Sequence, residues 1–149
     1  MKLVRALVVA GLLLVSAVFQ SSLVYGAFDG YLSAADVERI IGQRGITIKQ
    51  EATGLRFSRK DGTEILRVRF EEPSVFKTIT KDKSNYRPLL PPIGMESVSG
   101  VPRMPYMIAF LRKKYTVTVT STVQGPRTLV SFPHLQNIAR LIDSRITDK

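Results

Sequence analysis

Short runs of alternating apolar and polar residues, arranged in pairs around turn residues, recur along this chain and restrict those segments mainly to antiparallel strands. Residues 55–60 and 63–70 alternate in this way on either side of Asp61-Gly62. An Asp-Gly pair between two such runs predicts a two-residue hairpin turn, because both central residues of that turn need positive φ. A further alternating run, residues 46–50, precedes this hairpin and predicts another strand.

A second hairpin is predicted around Lys113-Lys114, between residues 106–112 and 115–123. Because side chains alternate along a strand, one face of this hairpin is apolar and the other carries threonine. The apolar face comprises Ile108, Phe110, Val117 and Val119, and the opposite face comprises Thr116, Thr118 and Thr120.

Between the hairpins, residues 83–105 contain five of the eight prolines. This stretch is either a functional loop or a connection that hides a strand near residues 95–98. We favour the hidden strand, because long irregular connections are uncommon within compact domains.

Helical periodicity appears at both ends of the region that follows residue 26. Ser33 and Asp36 have the spacing of a capping box, and a helix is predicted over residues 33–42. Residues 74–81 predict one or two further turns. Pro133 introduces a final helix whose predicted buried stripe is Leu135, Ile138, Ala139, Leu141, Ile142 and Ile146. The fold class is therefore α+β, with an antiparallel sheet of four to six strands packed on N- and C-terminal helices.

The first 26 residues predict export. Lys2 and Arg5 form a basic head, residues 6–19 are uncharged and apolar, and a small residue follows at Gly26. This three-part pattern is typical of a secretory signal peptide, whose cleavage leaves residues 27–149 as one periplasmic or secreted domain. The alternative is a retained N-terminal membrane anchor, because the uncharged stretch approaches the length that spans a bilayer.

Charge and cysteine content limit the classes of partner and chemistry. Loss of Lys2 and Arg5 with the signal leaves 20 basic and 12 acidic residues, a net charge of +8. This balance favours an acidic protein or polyanion of the cell envelope, with a membrane surface as an alternative, although solubility alone also accounts for such a charge. Nucleic acid is disfavoured, because the aromatic residues fall mainly on predicted core faces. The absence of cysteine excludes thiol nucleophiles, thiolate metal sites and disulfides.

The candidate binding site is a basic sheet face formed by Arg56, Arg67 and Arg69. A two-residue turn places Arg56 directly opposite Arg67, with Arg69 two residues further along the same strand. Like charges in such a pair destabilise a sheet by about 0.2 to 1 kcal/mol, so the cluster favours an anion. The alternative is that a third strand supplies the counter-charge, with Glu51 as the candidate, or that the arginines extend into water.

A second basic group, formed by Arg112, Lys113 and Lys114, is predicted at the tip of the second hairpin and completes the anionic-partner site. Catalysis has little support, because His134 is the only histidine and has no acidic neighbour in the sequence. Adjacent Glu71 and Glu72 are expected to point to opposite faces of a strand, so they cannot jointly flank a glycosidic bond without another carboxylate. We therefore predict no catalytic residue, no metal site and no cofactor.

Several segments together resemble a group of small exported bacterial α+β domains. They are YLSAADVERIIG at 31–42, the Asp-Gly hairpin, IGMESVSG at 93–100, the second hairpin and LQNIARLIDSRI at 135–146. The resemblance implies an α+β fold in the cell envelope and supplies no catalytic residues. The predicted function is a non-enzymatic binding or accessory domain that docks an acidic partner through the basic sheet face. The alternative is a carrier of a small apolar ligand, with a cavity lined by residues 83–105.

Overall fold

The described part of the protein is one antiparallel sheet with helices on both faces, which confirms the α+β class. The computed structural model describes residues 28–101, 106–123 and 128–148. In chain order the elements are α1 (Ala34–Ile41), β1 (Thr47–Glu51), β2 (Gly54–Ser58), β3 (Glu64–Glu71), α2 (Ser74–Lys81), β4 (Tyr86–Pro88), β5 (Glu96–Gly100), β6 (Met107–Leu111), β7 (Thr116–Ser121) and α3 (Phe132–Arg145). The strands lie in the spatial order β1-β2-β3-β7-β6-β5-β4.

The predicted strand number was wrong, because the described residues form a sheet of seven strands instead of four to six. The strand that the prediction lacks is β4, which pairs with β5 from Tyr86 opposite Gly100 to Pro88 opposite Val98. Three residues are too few to show alternation, and proline argues against a strand unless that strand lies at an edge. The strand predicted near residues 95–98 is present as β5.

The turn between β2 and β3 is longer than predicted, yet the predicted register is correct. The Arg59 N–H donates to the Thr63 carbonyl at 2.9 Å, so residues 60–62 form the loop. The pairing then shifts by one residue through a bulge at the start of β3. That shift cancels the longer loop, and Arg56 lies directly opposite Arg67 as predicted.

The main core lies between the sheet and the two terminal helices, as predicted. In β6 and β7, Ile108 pairs with Val119 and Phe110 with Val117, and all four side chains are buried. The α3 residues in this core are Leu135, Ile138, Ala139 and Ile142, followed by Ile146 after the helix. Leu141, which was predicted to belong to the same stripe, is only partly buried.

Helix α2 packs on the opposite face of the sheet, where it contacts β4, β6 and β7. Phe76 of α2 forms a second buried cluster with Val98 and Ala109. The buried Thr116 hydroxyl accepts the Phe76 N–H at 3.1 Å and donates to the Glu72 carbonyl at 3.0 Å. This bond pair anchors the start of α2 to β7 and leaves the β3 side of the same face open.

Asp36 joins the two terminal helices. Its carboxylate accepts two hydrogen bonds from the Arg145 guanidinium, at 2.6 and 3.0 Å, and one from the Ser33 backbone N–H at 3.0 Å. The hydrogen bonds from Arg145 are the main reason that the pKa of Asp36 lies well below its usual range. Burial acts in the opposite direction and raises that pKa. The predicted capping box of α1 is therefore present and also ties α1 to α3.

The predicted signal peptide, residues 1–26, lies outside the described residues. Close to that segment, Phe28 stacks on Phe70 with ring centroids 4.5 Å apart, and Tyr31 and Tyr115 pack around the pair. Within the described part of the chain, no helix is both long enough and apolar enough to cross a bilayer.

Candidate functional site

A groove of about 650 Å³ runs between α2 and the open part of the sheet, and we call it the α2 groove. Its floor is β3 and β7, and its wall is one side of α2. The lining residues are Glu64, Arg67, Arg69, Glu71, Val75, Ile79, Met107, Thr118, Thr120 and Thr122. A groove of this volume is within the range of ligand sites in proteins, ~300 to 1,000 Å³.

Strand periodicity explains why charged and hydroxyl side chains share this floor. Arg67 pairs with Thr120 and Arg69 pairs with Thr118, so these four side chains project from the same face. The intervening β3 residue, Val68, is fully buried in the main core on the other face. The basic sheet face and the threonine face that the sequence predicted are thus parts of one surface.

Two of the three predicted arginines are neutralised within the fold. Arg67 donates from Nε and from its terminal nitrogen to the two Glu64 carboxylate oxygens, each at 2.9 Å. The same bonds are the largest cause that raises the pKa of Arg67. Arg56 forms ion pairs with Glu51 and, at 3.2 Å, with Glu64. The counter-charge from Glu51, which the sequence left as an alternative, is therefore present.

Arg69 differs from the other two arginines of the basic sheet face. Its side chain is exposed, and no described carboxylate lies within 4.0 Å of its guanidinium. Its cross-strand neighbour on β2 is Gly54, which has no side chain to cover it. Glu71, two residues further along, also forms no ion pair with a described cation. Arg69 is thus the floor cation that is available to a bound anion.

The second predicted basic group is divided by the structure. Arg112 forms ion pairs with Asp143 at 3.3 Å and Asp148 at 3.2 Å, and it donates to the Ile146 carbonyl at 2.8 Å. It therefore holds the end of α3 and the residues after it against the second hairpin. Lys113 and Lys114 remain exposed at the turn.

His134 has a local hydrogen bond at the start of α3. Its Nδ1 accepts the Ser131 backbone N–H at 3.2 Å, and α3 packs on the face of the sheet opposite to the α2 groove. The described residues contain no group of three or more His, Asp or Glu side chains that could hold a metal ion.

A second cavity, of about 620 Å³, lies on the other side of α2 beside the edge strand β4, and we call it the Pro-rich cavity. Its lining residues are Phe76, Thr80, Lys83, Tyr86, Arg87, Pro88, Leu89, Leu90, Pro92, Met95, Glu96, Ser97 and Val98. Most of them belong to the proline-rich stretch that the sequence singled out. The residues of that stretch at 102–105 lie outside the described part of the chain.

No protein-family model, curated protein or solved structure matches this chain. The sequence missed the α2 wall, formed by Val75 and Ile79, because only the tertiary fold brings α2 beside β7. The alternating threonines of β7 were the signal in the sequence that this face of the hairpin carries hydroxyl groups. In the fold α2 buries Thr116, and Thr120 stays partly exposed in the groove.

Proposed function

We propose that this protein is an exported, non-enzymatic binding domain that holds an acidic segment of a cell-envelope protein in the α2 groove. The observation that supports this proposal is Arg69, an exposed guanidinium without a described acidic partner on the floor of a groove. Export is part of the proposal and depends on the pattern of residues 1–26.

A carboxylate side chain suits the chemistry of this floor. A guanidinium can donate two parallel hydrogen bonds to a carboxylate, and such charge-assisted bonds are about twice as strong as neutral ones. Thr118 and Thr120 also line the groove, and their hydroxyl groups can donate hydrogen bonds to a polar segment bound there. The α2 wall, with Val75 and Ile79, offers apolar surface to the methylene groups of the bound segment.

The same floor favours a protein segment over a densely charged polyanion. Arg67 and Arg69 share the groove with Glu64 and Glu71, so its formal charges balance. A polyanion would bring several negative charges close to those two glutamates. A segment with one or two acidic side chains among neutral residues can reach Arg69 without that repulsion. The net charge of the domain then acts at longer range, by raising the association rate at low salt.

The proposal is tested by the affinity of the purified protein for a labelled peptide with two glutamates, measured by fluorescence anisotropy. We expect Arg69→Gln to weaken binding by about 10- to 100-fold, the effect of losing one charge-assisted contact. Lys49→Gln is the matched control, because it removes the same charge from an exposed residue of the edge strand β1, outside the groove. It should change the affinity by less than about twofold.

Equal losses of peptide affinity in the Arg69 and Lys49 variants would contradict the proposal, because they would show that binding depends on net charge alone. Binding to the matched peptide with glutamine in place of glutamate would also contradict it. Binding to anionic lipid vesicles is measured for the unsubstituted protein and for Arg69→Gln as a further comparison. Vesicle binding that persists in Arg69→Gln, together with no peptide binding, would indicate a membrane surface instead of an acidic protein.

A further inference from the structure

We propose that the Pro-rich cavity is a second binding site, which takes a small amphipathic anion consisting of an apolar chain that ends in a carboxylate. The site is separate from the α2 groove, because the groove is lined by Val75 and Ile79 and the cavity by Phe76 and Thr80, on different sides of α2.

Exposed apolar side chains concentrate at this cavity. Leu90 is 80% exposed and Met95 is 57% exposed, and both line it. Among the described residues, the one other exposed large hydrophobic residue is Ile48, which is 36% exposed and lies on the edge strand β1 at the far end of the sheet. Isolated exposed apolar residues are ordinary, but a group of them around a concave surface is typical of a ligand site.

Hydrogen bonds hold the wall of the cavity in place without a ligand. The buried Ser97 hydroxyl accepts the Ile93 N–H at 2.9 Å, and the Ser97 carbonyl accepts the Leu89 N–H at 2.9 Å. The Met95 N–H donates to the Leu111 carbonyl of β6, also at 2.9 Å. A wall that is ordered in advance lowers the entropy cost of binding.

The charged residues of the cavity indicate the polar end of the ligand. Lys83 and Arg87 both line it, and neither has a described carboxylate within 4.0 Å. Among the described residues that line the cavity, Glu96 is the one acidic residue. Two cations without a described acidic partner, beside an apolar surface, are complementary to a carboxylate that carries a hydrophobic chain, and the volume of the cavity suits a small molecule.

The test uses the purified protein, anilinonaphthalene sulfonate as a fluorescent amphipathic anion, and laurate below its micelle concentration as the competitor. We expect laurate to displace the dye and acetate to leave it bound, because acetate has no chain to bury. Leu90→Gln/Met95→Gln should weaken laurate binding about tenfold or more. Lys83→Gln/Arg87→Gln should weaken it by about tenfold as well, through loss of the charged contacts.

The matched controls are Ile48→Gln, an exposed apolar residue, and Lys49→Gln, an exposed cation, both on β1. Each should leave laurate affinity within about twofold of the unsubstituted protein. Arg69→Gln should also have no effect, so failure of this proposal is distinguishable from failure of the α2 groove as a site.

Failure of laurate to displace the dye would overturn the proposal. Equal affinity in the cavity variants and the controls would overturn it too. If Leu90→Gln/Met95→Gln instead converts an oligomer of this chain to a monomer without changing laurate binding, the exposed Leu90 and Met95 side chains form an interface between copies. The proposal is then wrong.

Discussion

Gly54→Ala is expected to lower the free energy of unfolding by about 4 kcal/mol, or to prevent folding altogether. A Cβ atom at this position would lie 2.0 Å from the Val68 carbonyl oxygen and 3.0 Å from the Arg69 Cα atom. Both atoms belong to the backbone of β3, a central strand, so relief of the clash requires β2 to move away from β3. Glycine is needed here for close approach of two strands.

Urea denaturation followed by circular dichroism measures this effect. A loss of about 4 kcal/mol corresponds to a fall in melting temperature of roughly 10 to 20 °C for a domain of this size. Gly30→Ala is the control, because a Cβ atom there would have no heavy atom within 4 Å, and its stability should change by less than about 1 kcal/mol. A decrease of less than about 1 kcal/mol in the free energy of unfolding of Gly54→Ala would contradict the close approach of β2 and β3.

Asp36→Asn is expected to lower the free energy of unfolding by about 2 to 4 kcal/mol, less than Gly54→Ala. The substitution keeps the size of the side chain but replaces the charged carboxylate, whose oxygens accept two hydrogen bonds from Arg145. Hydrogen bonds to charged groups each contribute about 1.5 to 3 kcal/mol to stability. The substitution also weakens the packing of α1 on α3. Arg39→Ala is the control, because Arg39 pairs with the same carboxylate but its side chain is 69% exposed, and its loss should cost less than about 1 kcal/mol.

The stability that Asp36 contributes should also depend on pH. Because the folded-state pKa of Asp36 is depressed, the native protein binds fewer protons than the unfolded chain at acidic pH. The contribution is complete above the unfolded pKa of about 3.9 and is lost as the pH falls towards the lower folded pKa. The difference in melting temperature between the unsubstituted protein and Asp36→Asn should therefore narrow from pH 6 to about pH 2. A difference that stays constant over this range would show that the charge of Asp36 contributes nothing.

Local patterns in the sequence determined the features that depend on neighbouring residues. The Ser33 and Asp36 spacing predicted the cap of α1, since a capping box is completed within one helical turn. Alternation predicted the two faces of the second hairpin, with Ile108 and Phe110 on the main core and the threonines opposite. The register of Arg56 and Arg67 was also correct, although the loop and the bulge that produce it were not anticipated.

The tertiary structure alone decided which side chains meet across the fold. The Asp36–Arg145 pair joins residues 109 positions apart, and the bond from Phe76 to Thr116 spans 40. No local periodicity encodes such contacts, because they depend on how the helices pack against the sheet. Within the sheet, Glu64 pairs with Arg56 of β2 and with Arg67 of its own strand. The helix packing places α2 beside Arg69, which has no described acidic partner, and forms a cavity between α2 and the edge strand of the proline-rich connection. The sequence by itself therefore determined most of the elements, their faces and their charges, whereas the assembled fold determined the edge strand β4, which charges are neutralised and where a ligand can be held.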